Sequence, residues 1–230
     1  MKRLTINKSN LPLLCMILVT GILITVTGIY FGQSFLRILP LYVSLFIMFL
    51  QTRVNRYAYL LGGLNSLLYA YVYWYYGLYA SVAYAVLVSC PFQIATFILW
   101  SRRPWGNATV FKKMTKKQLI LVGAAFVAVW LVLQVVLKAL GGNYQILDST
   151  TSLLGILASI LVMLAYVEHT YLSFPSGIIG LFLYATMLKE SPEQITYLIY
   201  QIYAFTCTTI TFFRTRTVYR KQNEGKQPEE

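Results

Sequence analysis

The sequence predicts an all-α polytopic membrane protein of eight transmembrane helices, arranged as two parallel three-helix repeats joined by a linker helix. Three observations lead there. Of 230 residues, 58% are apolar and only 11% are charged, whereas soluble domains carry about a quarter of charged residues. The apolar residues gather in runs near the length of about 20 residues that crosses a bilayer's hydrocarbon layer. The nineteen Lys and Arg, against seven Asp and Glu, sort to one side when each run is crossed in turn. A disordered chain is excluded, because such chains are poor in apolar residues. The formal charge of +12 would suggest nucleic acid in a polar chain; here it belongs to membrane loops, and no nucleic-acid partner is expected.

In order, the predicted spans are Leu11–Phe31, Phe35–Gln51, Tyr57–Tyr76, Leu78–Trp100, Gln118–Leu140, Ser149–Val167, Tyr171–Leu188 and Gln194–Phe213. The first follows Lys2, Arg3 and Lys8, as a signal peptide would. Its apolar run exceeds a typical signal core and no small-x-small cleavage site follows, so a retained extra helix is expected. Eight crossings place sixteen basic residues on one side: Lys2 to Lys8, Arg53 and Arg56, Arg102 to Lys117, and Arg214 to Lys226. Only Arg37, Lys138 and Lys189 fall on the other. The positive-inside bias then puts both termini in the cytoplasm of a multi-pass cell-membrane protein. The Arg102–Lys117 loop reads as an orientation signal, and the Asn107-Ala-Thr109 sequon within it would be inert on that side.

A shift of 115 residues aligns Ser34 with Ser149, Leu39 with Leu154, Ser44 with Ser159, Met48 with Met163, Gly62 with Gly177, Tyr69 with Tyr184 and Ala70 with Ala185. Spans two to four and six to eight are therefore read as triplets, and the single helix between them makes the triplets parallel. Parallel repeats are a transporter architecture with the substrate near the midplane. The expected organisation is an extra helix over 1–33, a first repeat over 34–100, a basic loop and linker helix over 101–147, a second repeat over 148–213 and a tail over 214–230. Pro40, Pro91 and Pro175 lie inside spans, where they permit bending.

The residues offer no enzyme constellation. Cys15, Cys90 and Cys207 sit in apolar runs without metal spacing. His169 beside Glu168 reads as a solvated pair at a span end, and Asp148 as a helix cap. No G-x-x-x-x-G-K-[ST] phosphate loop occurs and no carboxylate lies deep in a span, so neither ATP hydrolysis by that route nor a proton relay is expected. Uncharged amides remain: Asn65, Gln93, Gln134 and Gln201. Each is costly in lipid unless it faces protein, water or ligand. Asn65, Tyr69 and Tyr73 share one helix face, as do Gln93, Phe97 and Trp100, and Tyr197, Gln201 and Thr208. Such amides read equally as helix glue or as grips on a ligand. The aromatic run Tyr69 to Tyr79 reads as an interfacial belt or a stacking platform for a planar ring.

The stretches Asn55 to Tyr69, Tyr76-Gly-Leu-Tyr79, Pro91-Phe-Gln93 and Phe97-Ile-Leu-Trp100, with Leu147-Asp-Ser-Thr-Thr151 before span six, resemble the nicotinamide riboside transporter family, PnuC. The resemblance covers roughly residues 35–215. It implies a triplet, a linker helix and a second triplet, similar to the SWEET fold, and downhill movement of a vitamin or nucleoside that a cytosolic kinase then traps. The family's second repeat carries Trp-x-x-Trp, whose positions here are Phe174 and Gly177. Relatives specialised for thiamine, riboflavin or deoxynucleosides therefore stay open as alternatives. So does a vitamin-binding subunit of an energy-coupling transporter, against which the repeat and the eight spans speak.

The expected function is facilitated uptake of ribosyl nicotinamide, or a related vitamin or nucleoside, by alternating access without a cofactor. The candidate substrate-binding residues are Asn65, Tyr69, Tyr73, Gln93, Trp100, Phe174, Tyr200 and Gln201. The partners are the substrate and the lipid bilayer, and a homo-oligomer is compatible with the pattern.

Overall fold

The computed structural model describes residues 11–75, 85–139 and 145–225. Among them are eight α-helices: α1 Leu11–Tyr30, α2 Phe35–Thr52, α3 Tyr57–Tyr75, α4 Cys90–Ser101, α5 Lys116–Ala139, α6 Gln145–Met163, α7 His169–Met187 and α8 Ile195–Asn223. A π-helical turn, Ala85–Ser89, leads into α4, and a hairpin of β1 Pro104–Trp105 and β2 Ala108–Thr109 follows it. Four helical segments among the described residues are long and apolar enough to cross a membrane by length and composition: Leu11–Tyr30, Phe35–Thr52, Lys116–Val135 and His169–Met187. α3 falls short because it carries six tyrosines together with Asn65.

Three boundaries differ from the sequence reading, one of them the end of α6 at Met163, four residues short of Val167; the predicted start of span four at Leu78 lies outside the described residues. α6 begins at Gln145, so Asp148 lies in its first turn and not at its cap. α8 continues ten residues beyond the predicted end at Phe213. Arg220 and Lys221 in its last turn complement the helix dipole, and Gln222 is anchored: its Nε2 donates to the Thr109 carbonyl at 2.8 Å and its Oε1 accepts from the Phe111 N–H at 2.9 Å.

α3 packs between α2 and α4, and α7 packs between α6 and α8. Across the molecule α2 lies against α8 and α4 against α6, while α1 covers α2 and α8. Apolar burial of Ile24, Ile38, Leu41, Leu45, Tyr203 and Cys207 joins α1, α2 and α8 into one core. α5 packs on α6, where Trp130 Nε1 donates to Thr150 Oγ1 at 2.9 Å and Gln134 Nε2 donates to Ser149 Oγ at 2.5 Å. Gln134 is thus helix glue.

The ends of α2 and α6 repeat one geometry. Val54 has φ 53° and Ala165 has φ 59°. Asn55 N–H donates to the Leu50 carbonyl at 3.2 Å, and Tyr166 N–H donates to the Leu161 carbonyl at 2.9 Å. Both are Schellman closures, which satisfy the last helical carbonyls and reverse the chain into the next helix. A β-branched Val at positive φ is costly; burial of Val54 in a second core with Trp100, Ala108, Phe111, Ala165 and Val167 holds it there.

That second core gives the loop after α4 a structure that its charge did not announce. Arg56 N–H donates to the Asn107 carbonyl at 2.9 Å, Lys112 N–H donates to the Ala165 carbonyl at 2.9 Å, and Val167 N–H donates to the Lys112 carbonyl at 3.0 Å. The loop is docked on both Schellman turns.

Candidate functional site

The helices enclose two cavities with Gln51, Ser89 and Gln93 as a common wall. The larger, about 530 Å³, is lined by α4, α6, α7 and α8, with Gln51 of α2 and Tyr59 of α3. The smaller, about 220 Å³, lies among α2, α3 and α4 and is closed by Tyr200 of α8. No Asp, Glu, Lys or Arg lines either cavity among the described residues.

The smaller cavity is built on close approach. A Cβ at Gly62 would coincide with the Gln93 amide oxygen, so only glycine lets α4 bring Gln93 this near to α3. Gln93 Nε2 then donates to Ser66 Oγ at 3.2 Å and Ser89 Oγ at 3.3 Å. Asn65 is 4% exposed. Its Nδ2 donates to Ser44 Oγ at 2.9 Å and to the Pro40 carbonyl at 3.3 Å, and its Oδ1 is buried without a hydrogen-bond partner.

The larger cavity mixes ring faces with small hydroxyls. Tyr59, Phe92 and Phe212 supply rings, and α7 presents Thr170, Ser173, Ser176 and Gly177. From α8 come Gln201, Thr208 and Thr211. Gln201 Nε2 donates to the Gly177 carbonyl at 3.5 Å.

The predicted site residues divide accordingly. Asn65, Tyr69 and Tyr200 line the smaller cavity, Gln201 the larger, and Gln93 both. The Tyr73 side chain and residues 76–79 of the aromatic run lie outside the described residues. Trp100 lines neither cavity: it is 1% exposed, its Nε1 donates to the Val162 carbonyl at 2.8 Å, and Tyr59 and Phe111 meet its ring edge-on. It sits in the last turn of α4, where the docked loop covers it. Phe174 packs on Phe205 and Phe212 with ring centroids 5.3 and 5.7 Å away, one ring behind the wall. One residue of helix turns a side chain by about 100°, which takes Phe174 off the cavity face that Ser173 holds. Tyr197, one turn before Gln201 on α8, lines neither cavity and accepts from Arg37 Nε at 2.9 Å.

Two residues were read differently from sequence. His169, taken as solvated, is buried and lines the larger cavity. Glu168 accepts the Met114 N–H at 3.1 Å and its other oxygen is buried without a partner. The signal for both was the docked loop above them, which charge alone did not reveal. The α7 hydroxyls were missed for a simpler reason: Ser and Thr are cheap in any membrane helix when they bond their own backbone, as Thr170 and Ser173 do; Gln51 was missed because it closes its predicted span, where an amide reads as solvated.

The sequence profile of the family described as nicotinamide mononucleotide transporter matches residues 34–215. The chain is 28% identical over 174 residues to the nicotinamide riboside transporter PnuC of Neisseria mucosa, an alignment covering 73% of this chain and 66% of that protein's length. A crystal structure of the vitamin B3 transporter PnuC shares the fold, with a TM-score of 0.73 at 22% identity, covering 91% of this chain and 90% of that one.

Proposed function

This chain belongs to the nicotinamide mononucleotide transporter family, and we propose that it carries a ribosylated nicotinamide, or a related vitamin or nucleoside without phosphate, across the membrane through the two cavities. Membership makes it a membrane transporter and not an enzyme. One observation carries the choice of an unphosphorylated substrate: among the described residues the lining holds amides, hydroxyls and rings but no charged side chain. A phosphate would lose its hydration without a cation to replace it. A pyridinium ring keeps favourable partners in the faces of Tyr59, Phe92 and Phe212. The volumes suit a small ligand, since such pockets run to roughly 300–1,000 Å³.

In this reading the ring occupies the larger cavity, and Asn65, Gln93 and Tyr69 grip the ribose from the smaller one. Tyr200 and Gln201 contribute from the second repeat, and Tyr73 extends the Asn65 face by its position. Trp100 and Phe174 brace the wall. Phe174 and Gly177 at the family's tryptophan positions keep thiamine, riboflavin and deoxynucleosides as substrates to compare. The architecture we propose is eight spans, both termini cytoplasmic, with parallel triplets over 34–100 and 148–213, the helices at 1–33 and 101–147 appended, and the tail over 214–230. Supporting it are the reciprocal seams of α2 on α8 and α4 on α6 and the matching Schellman turns. The pairs Ser44 with Ser159 and Gly62 with Gly177 each put one member in each cavity wall. Rocking of the triplets would expose the cavities alternately, driven by the substrate gradient and maintained by a kinase that consumes the product of transport.

Purified protein in liposomes tests this. Labelled nicotinamide riboside should enter and its 5′-phosphate should not. Entry of the phosphate would refute the proposal, and so would failure of nicotinamide riboside, thiamine, riboflavin and deoxynucleosides alike to enter.

A further inference from the structure

Six hydroxyls of the larger cavity's lining have already committed their protons. Thr96 donates to the Phe92 carbonyl at 2.7 Å, Thr151 to Leu147 at 2.8 Å, Ser159 to Gly155 at 2.8 Å, Thr170 to Val167 at 2.9 Å, Ser173 to His169 at 3.0 Å and Thr211 to Cys207 at 2.8 Å. A carbonyl can only accept, so the direction of each bond is fixed. What these oxygens offer the cavity is lone pairs.

His169 extends the pattern. Its Nδ1 lies 2.7 Å from the Tyr166 carbonyl, so Nδ1 carries a proton. The ring is 4% exposed, stacks against Phe111 at 6.1 Å and has no ion pair among the described residues. An unpaired charge there would be costly, which leaves the neutral tautomer with Nε2 as an acceptor. Nε2 has no hydrogen-bond partner among the described residues, and the residue lines the cavity.

We infer that His169 Nε2, set beside hydroxyl oxygens that can only accept, is the fixed acceptor that takes the N–H of a ring carboxamide. This rests on the nicotinamide riboside reading above. The placement follows from the two cavities: the amide-rich smaller one takes the polyhydroxyl sugar, and the ring lies among Tyr59, Phe92 and Phe212 in the larger one, whose wall includes His169. A carboxylate in place of the carboxamide would set lone pair against lone pair and bring a charge into an uncharged wall.

The test compares two isosteres in the full-length protein in detergent, by calorimetric affinity for nicotinamide riboside and nicotinic acid riboside. Asn at position 169 reproduces the Nδ1 donor and so keeps the bond to Tyr166, but it removes the cavity acceptor. Gln reproduces a group at the Nε2 position and loses the Tyr166 bond. The wild type should prefer the amide. His169→Gln should stay within about threefold of it, and His169→Asn should bind the amide about tenfold more weakly, the loss of one buried hydrogen bond, with a narrowed preference over the acid. Loss in His169→Gln alone, equal loss in both or loss in neither assigns His169 to holding the turn and overturns the inference. A wild type that binds no nicotinamide riboside overturns the functional reading first, and the inference with it.

Discussion

Replacing Asn65 by leucine separates the two things an intramembrane amide can do. Asn65 Nδ2 ties α3 to α2 through Ser44 Oγ and the Pro40 carbonyl. Hydrogen bonds between membrane helices average about 0.6 kcal/mol, so losing both should remove roughly 1.2 kcal/mol of stability, or about 3–5 °C in melting temperature for a chain this size. The Oδ1 of the same residue is buried without a partner in the protein, and Asn65 lines the smaller cavity. A ligand hydroxyl that satisfies it supplies about 1–2 kcal/mol, so Asn65→Leu should also weaken substrate binding by roughly 5- to 30-fold. The control is Tyr203→Phe, which deletes a buried 2.7 Å bond from α8 to the Leu45 carbonyl at a residue that lines neither cavity. It should lower the melting temperature by about 2 °C and leave Kd nearly unchanged. Calorimetry beside a thermal scan in detergent reads both quantities. If Asn65→Leu melts earlier yet binds as well as wild type, Asn65 is a tie between helices and the sugar subsite is misplaced.

Gly62→Ala should drive the Gln93 amide away from Ser66 and Ser89 and weaken binding about tenfold, whereas Gly123→Ala on α5, with nothing within 4 Å of the new carbon, should bind normally; equal affinities would remove Gln93 from the site. A phosphatase or fluorescent-protein fusion at Glu230 should report a cytoplasmic C-terminus, and an active periplasmic phosphatase there would refute the eight-span topology. In liposomes, uptake should stop at equal concentrations on the two sides with or without a pH gradient; proton-driven accumulation would refute the downhill reading and make His169, which lines the larger cavity, the first residue to test.

The helices were legible because long apolar runs have few alternatives to a helix, and the predicted and observed ends of α1, α2, α3 and α7 agree within two residues. The amides were legible as well, since an uncharged polar residue in an apolar run has few explanations, and Asn65, Gln93 and Gln201 reach a cavity. Trp100 and Phe174 were misplaced because size and aromaticity suit a wall, a brace and a core equally; only the rotation of each helix chooses. His169 shows the converse. Next to Glu168 at a helix end it looks solvated, and it becomes buried through the loop that starts 67 residues earlier in the chain, with Phe111 laid on its ring.

That loop also bears on how the two triplets could move. At the arginine-rich end, main-chain bonds from residues 107 and 112 hold both the turn after α2 and the turn after α6, and Trp100 Nε1 ties α4 to α6. At the opposite end the tie is on the other seam: Arg37 of α2 donates to Tyr197 of α8 and lies 3.9 Å from Glu193, whose carbonyl accepts from Gln33. The first set is neutral and mostly main-chain, with Trp100 fully buried, and the second is half-exposed and includes an ion pair that water screens. Opening by rocking breaks one set while the other serves as the hinge. The half-exposed set is the cheaper to break, so the resting protein should open first at the Arg37 end and close there on substrate. Under the proposed topology that end faces outward, which is the order a protein for uptake requires.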